Sequence, residues 1–428
     1  MDNQLKRITA VLCTIFLLSG CHSDIQQTQA KEDTTLQQET QEVSLQLQDE
    51  PLITEEFEGT LTFADTGDLQ EEQKELIELY MKWYYDSLAK EEVEQLPDIF
   101  VSGEQAQIKL ETEILNYQLL VRSSQKSDLS LTGYQSVFSV EEIEEEENGD
   151  ITVRLSEDST QNFAQFEQVD SITTDIIHIF CFRKTDDGWK IYRHVNYNDR
   201  LYWTVTGDHR QYMNGELSQE TVLANISEGI DEKKALLEQN IQRRDQAGAD
   251  KEETAVKISY DRQAAVEYAQ TWALDRNEEW ADYSMNGGNC QNFVSQCLLA
   301  GGIPMDTQGE SVWKWYGDTP NNLPNMQGRS ASWSGVDEFL NYAWENEGSG
   351  LAAIVDASYD TGEVGDVLII GYGEEELYHA VMITDVVTDE DGNIIDYLVC
   401  SNTANQKDYP ISAYGYTYQV LIKILGSN

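Results

Sequence analysis

The chain sets Cys290 behind a Gly287-Gly288-Asn289 turn and at the start of an amphipathic stretch, which confines this segment to a turn feeding a helix. Phe293, Val294, Cys297 and Leu298 lie three, four, seven and eight residues beyond Cys290, the spacing of one apolar helical face. Gly301-Gly302 supplies the stop. A thiol in a first helical turn meets unpaired backbone N–H groups and the positive end of the helix dipole, and both favour thiolate. The pattern is that of a chain presenting a cysteine nucleophile.

Acyl transfer by a cysteine needs an imidazole to take and return the proton, and a polar group to orient that imidazole. Downstream of Cys290 three apolar runs read as strands: Val367–Ile370 after Gly365-Asp366, then Leu377–Ile383, then Tyr397–Asn402 after Asp391-Gly392. The chain has five histidines, His22, His178, His194, His209 and His379, and only His379 shares the C-terminal part with Cys290. By elimination His379 is the expected base. Asn402, one predicted strand further on, is the expected orienting amide, and backbone N–H groups at the helix start are the expected oxyanion donors.

A formal net charge of -50 over 428 residues argues against nucleic acid as a partner, because binding phosphates needs clustered Lys and Arg. Lys6 and Arg7 precede an apolar run, Val11 to Leu18, too short for a membrane span and ending in Leu18-Ser19-Gly20-Cys21. That ending resembles a bacterial lipobox, and the resemblance implies cleavage before Cys21 and a lipid anchor on it. Residues 22–56, rich in Gln, Glu and Thr, read as a disordered tether. Residues 57–206 read as a smaller α+β domain: helices near 69–89 and from a Ser102/Gln105 capping box, then a run of strands ending in an Asp187-Gly188 hairpin. Helices followed by antiparallel strands resemble the cone-shaped SnoaL-type fold. Residues 207–255 are polar and read as an interdomain connection containing a helix near 230–244, and 256–428 form the last domain. Cys290 and Cys297 stand seven positions apart on one helix, roughly 10 Å, which is too far for a disulfide. No cofactor is expected, nor a metal, since a zinc site usually needs more than one nearby histidine. The oligomeric state is not legible.

From Tyr260-Asp261-Arg262 through the Gly-Gly-Asn-Cys290-Gln-Asn-Phe-Val-Ser-Gln-Cys run to Trp313, Trp315, Ser332-Trp333 and Gly365-Asp366, the last part of the chain resembles the bacterial putative amidase domain, a family grouped with papain-like and CHAP-type cysteine hydrolases. The resemblance implies a papain-like α+β core, Cys290 as nucleophile and His379 as base, with Asn289, Gln291, Asn292 and Trp333 shaping the site. It also implies a peptide or amide substrate, peptidoglycan being the one that suits an exported, tethered protein. Three positions depart from the family pattern: Asn289 stands for Asp, Gln291 for Thr and Asn402 for His. Asn at 289 is expected to keep a helix cap while losing charge. These departures keep a second reading open, a non-catalytic binding or scaffold lipoprotein on a degenerate amidase fold.

Overall fold

The computed structural model describes residues 58–428 apart from 167, 249–252, 254, 286, 308–311 and 318–327. The expected signal peptide (1–21, with Cys21) and tether (22–56) lie outside the described residues. No helix among the described residues is long and apolar enough to cross a membrane.

The architecture is mixed α and β around one large sheet. Strand β1 (Glu58–Asp65) precedes helices α1 (Glu71–Lys90) and α2 (Gln105–Ser123), and four strands follow: β2 (Leu131–Glu145), β3 (Ile151–Phe163), β4 (Ser171–Thr185) and β5 (Gly188–Asn196). Helices α3 (Arg200–Thr206), α4 (His209–Met213) and α5 (Gln219–Gln246) lead to the short β6 (Ile258–Ser259). Helices α6 (Arg262–Trp272), α7 (Cys290–Ala300), α8 (Ala331–Ser334) and α9 (Val336–Glu345) come before β7 (Leu351–Val355), β8 (Val367–Gly373), β9 (Glu376–Thr388), β10 (Ile394–Ser401), β11 (Asn405–Pro410) and β12 (Tyr418–Ser427). The sheet order is β1-β2-β3-β4-β11-β10-β9-β8-β12-β6, with β5 on β4 and β7 on β12, and only β1–β2 is parallel.

Local chemistry explains most boundaries. Helix α1 starts where the Gln73 side-chain oxygen accepts from the Gln70 backbone N–H at 3.2 Å, while Gln70 Oε1 accepts from Trp189 Nε1. Helix α2 is different: it begins three residues after Ser102, at an N-cap Glu104 whose side chain makes no capping bond, so the Ser102/Gln105 box does not form. The acidic run from Glu141 lies on the β2–β3 hairpin, where Gly149 takes a positive φ of 83° in the turn. The connecting helix is longer than its sequence signal, because Val222, Ile226, Ile230 and Leu237 form a buried stripe against Leu110, Ile114 and Tyr372.

Strand β4 carries the join between the two ends of the chain. Its first residues, Ile172, Thr173 and Thr174, pair with Lys407, Gln406 and Asn405 of β11, and its later residues pair with β5. One apolar cluster therefore runs from Tyr80, Phe163 and Phe180 to Leu368, Val381 and Tyr397. A second lies beneath Cys290 and holds Phe293, Val294, Trp313, Trp333 and Met382.

Candidate active site

Helix α7 opens at Cys290, as the spacing requires, and both of its flanks are held by amide side chains. Asn289 is the N-cap residue, yet its side chain does not cap α7. Its Oδ1 accepts from the Tyr283 backbone N–H (3.1 Å) and from Asn292 Nδ2 (2.8 Å), while its Nδ2 donates to Asn402 Oδ1 (2.9 Å). Its backbone N–H donates to Thr403 Oγ1 at 3.1 Å. Asn292 Oδ1 in turn accepts from Trp333 Nε1 at 2.8 Å, and Trp333 packs against Trp313 and Trp280. Asn292 and Trp333 thus brace the turn from behind. Gln291 is fully buried; its Nε2 donates to Ser295 Oγ at 3.2 Å and its Oε1 has no partner.

Asn402 does not orient the imidazole. Its Nδ2 donates to the carbonyls of Trp272 (3.1 Å) and Ala273 (2.8 Å), capping the orphan end of α6, and its Oδ1 is occupied by Asn289. Cross-strand register gives the reason. Cys400 pairs with Met382 and both lie in the cluster beneath α7, so strand alternation carries Asn402 to that face, whereas His379 pairs with Ile370 of the opposite cluster. Asn402 is joined to the residue before Cys290 through its bond with Asn289.

The two family departures at 289 and 402 are therefore in direct contact. With Asn402 presenting Oδ1, position 289 must supply a donor; a carboxylate there would set two acceptors face to face. A pair of amides replaces the acid and imidazole that the resemblance would place there.

Cys290 is 7% exposed, and backbone N–H groups of Ala380, Gln291 and Cys290 itself favour its thiolate, but burial outweighs them and pushes the thiol up. The helix terminus alone does not produce a resting thiolate. Burial pushes Cys297 and Cys400 up as well, Cys400 to about 12. His379, next to Ala380, is 5% exposed; burial holds its imidazole down at about 4, and its Nε2 has no hydrogen-bond partner. No hydrogen bond joins Cys290 to His379 among the described residues.

Cys290 and His379 line one cavity of about 1170 Å³, and part of its wall comes from the first part of the chain. Tyr80, Glu111, Glu157, His178 and His194 lie on that wall. Elimination by sequence region missed His178 and His194, because it took residues 57–206 as a separate compartment. The signal was present in β3 and β4, where polar residues alternate on a buried face.

Residues 259–425 match the family described as "Putative amidase domain". This amidase-type segment holds Cys290, His379 and Asn402. An uncharacterised protein of Bacillus subtilis (strain 168), YhbB, is 31% identical over 138 residues, covering 32% of this chain and 40% of that relative. The chain thus spans well under half of the relative's length. No solved structure matches the chain.

Two measurements check this geometry. Asn289→Asp should destabilise the fold by roughly 1–3 kcal/mol, the cost of an unsatisfied buried pair, and Asn289→Asp with Asn402→His should recover part of it in urea unfolding. His379 stays neutral in the fold but takes a proton near pH 6.5 when unfolded. Stability should accordingly fall between about pH 6.5 and 4, by roughly 3 kcal/mol, and His379→Asn should show a shallower fall over that range.

Proposed function

We propose that the chain is a cysteine-dependent amide hydrolase with a papain-like catalytic half, acting on peptide or amide bonds of peptidoglycan from a lipid anchor at Cys21. The observation that carries the reading is Cys290 at the first turn of α7, with N–H groups of Gln291 and Ala380 directed at its sulfur and His379 beside Ala380 on the same cavity. The amidase-type match over residues 259–425 supports amide hydrolysis as the reaction class.

The chemistry follows from the two perturbed groups. The resting pair is neutral thiol and neutral imidazole, so His379 takes the Cys290 proton as the sulfur attacks the carbonyl carbon. The tetrahedral oxyanion that forms is stabilised by backbone N–H groups at the start of α7. His379 then gives the proton to the leaving amine, the C–N bond breaks and an acyl-Cys290 thioester remains. Water, deprotonated by His379, attacks the thioester and releases the carboxylic acid, while the thiolate recovers its proton. Asn289 and Asn402 keep Cys290 in place and do not touch the reacting atoms.

Two observations favour a second reading, a binding or scaffold lipoprotein: no hydrogen bond joins Cys290 to His379 among the described residues, and burial raises the thiol rather than lowering it. Incubating the chain with purified peptidoglycan and analysing released fragments by mass spectrometry separates the two. Hydrolysis predicts new amine and carboxyl ends, lost in Cys290→Ala. Absence of product, or product that persists in Cys290→Ala, sinks the enzyme reading.

A further inference from the structure

The wall that the first part of the chain gives to the Cys290 cavity carries a chain of buried polar groups that the chemistry above does not use. Along β3 alternation puts Leu155, Glu157, Ser159 and Gln161 on one face. His178 pairs with Leu155, and Asn196 with His178, so His178 and His194 join that face under α1 and α2. Glu157 Oε2 lies 2.9 Å from His178 Nε2, His178 Nδ1 lies 3.0 Å from His194 Nε2, and His194 Nδ1 lies 3.0 Å from Glu111 Oε1. Each of these three contacts needs one hydrogen. Two neutral imidazoles bring one N–H each, so the third hydrogen is an extra proton, on a ring or on a carboxyl. In either case two carboxylates and one extra proton leave a net charge of −1.

No Lys or Arg is paired with it among the described residues: of the arginines lining the same cavity, Arg154 is paired with Glu141 and Arg276 with Asp282, and Arg200 lies over the Tyr378 ring. Tyr80, Tyr202 and Gln107 donate to Glu111, and Tyr85 and Ser136 to Glu157, and all of these donors are neutral. Asp199, at the N-cap of α3, adds a carboxylate to the same cavity and accepts only from the Leu201 N–H and Gln118 Nε2. Burial pushes Asp199 up to about 6, so it is ionised at neutral pH. No Lys or Arg contacts Glu111, Glu157 or Asp199 among the described residues. Gln161, also on this wall and 7% exposed, has an Oε1 acceptor with no partner. Tyrosine rings, including Tyr84, Tyr85 and Tyr409, line the space between, with π-faces that also attract cations.

We infer that the wall formed by residues of α1, α2, β3, β4 and β5, with Asp199 at the start of α3, is a subsite for an organic cation, a primary ammonium group carried by the ligand. Uncompensated buried negative charge and an unfilled acceptor are both satisfied by an N⁺–H donor, whereas an anion would be repelled and a plain alkyl group would leave both unmet. The subsite rests on the amide-hydrolase reading only in assigning that ammonium to the substrate. The first part of the chain then selects what Cys290 meets.

The test uses the full chain carrying Cys290→Ala, so that no turnover occurs, titrated with pentylamine and with pentan-1-ol at neutral pH and followed by NMR shifts. Pentylamine should bind at least tenfold more tightly than the alcohol. Asp199→Asn, which keeps a side chain able to cap α3, should cut that ratio threefold or more, and Glu157→Gln should do the same where circular dichroism shows it folded. Equal affinity for amine and alcohol, or a ratio unchanged in Asp199→Asn, overturns the proposal. An amine preference without peptidoglycan products would leave the subsite standing and remove the hydrolase reading alone.

Discussion

The backbone ladder between β4 and β11 is the interaction on which the rest depends. Only Ile172, Thr173 and Thr174 take part, yet they make the strands of the first and last parts of the chain one continuous sheet. Side chains reinforce the ladder: Asn405 Nδ2 donates to Asp175 Oδ2 at 2.6 Å, Arg276 to Asn405 Oδ1 at 2.7 Å, and Ser171 Oγ to the Asp408 carbonyl at 2.9 Å. Asp175 takes a positive φ of 58°, and β3 and β4 shift register nearby, so β4 leaves β11 and turns to β5 within a few residues. Both parts so joined line the cavity, which takes in Cys290 and the Glu157–His178–His194–Glu111 chain.

Burial governs the chemistry of both ends. At Cys290 the N–H groups that would stabilise a thiolate are present, but the desolvation of a buried thiol exceeds their effect. At His379 the same force lowers the imidazole's affinity for a proton, to a pKa of about 4. A neutral pair at rest is a consistent outcome: an ion pair buried without further partners costs several kcal/mol per charge. Across the cavity burial would raise Glu157, but hydrogen bonds from His178, Ser136 and Tyr85, together with charge attraction from His178, outweigh it and hold the carboxyl below the usual range.

Local periodicity was legible in the sequence, and long-range pairing was not. The α7 start at Cys290, the β8 and β9 runs and the Asp187-Gly188 hairpin follow from spacing and turn residues alone. The facing of Asn402 does not, because a register shift between Leu398 and Val399 of β10 sets which residues share a face with Met382. The Ser102 cap fails because helix start depends on where Phe100 bridges to Ile191, a contact nearly a hundred positions away in sequence. His178 and His194 looked remote from Cys290 because a strand pairing of three residues, too short to leave a pattern, brings their strand to the cavity.

The central claim is that Cys290 and the acidic wall belong to one site. The most direct measurement is a crystal structure of the chain after reaction with a peptidyl chloromethyl ketone that carries a free side-chain amine. A single site puts a thioether at Cys290 Sγ and the ammonium within hydrogen-bonding distance of Glu157, Asp199 or Gln161. An unmodified Cys290, or a ligand bonded to it but leading away from that wall, would contradict it.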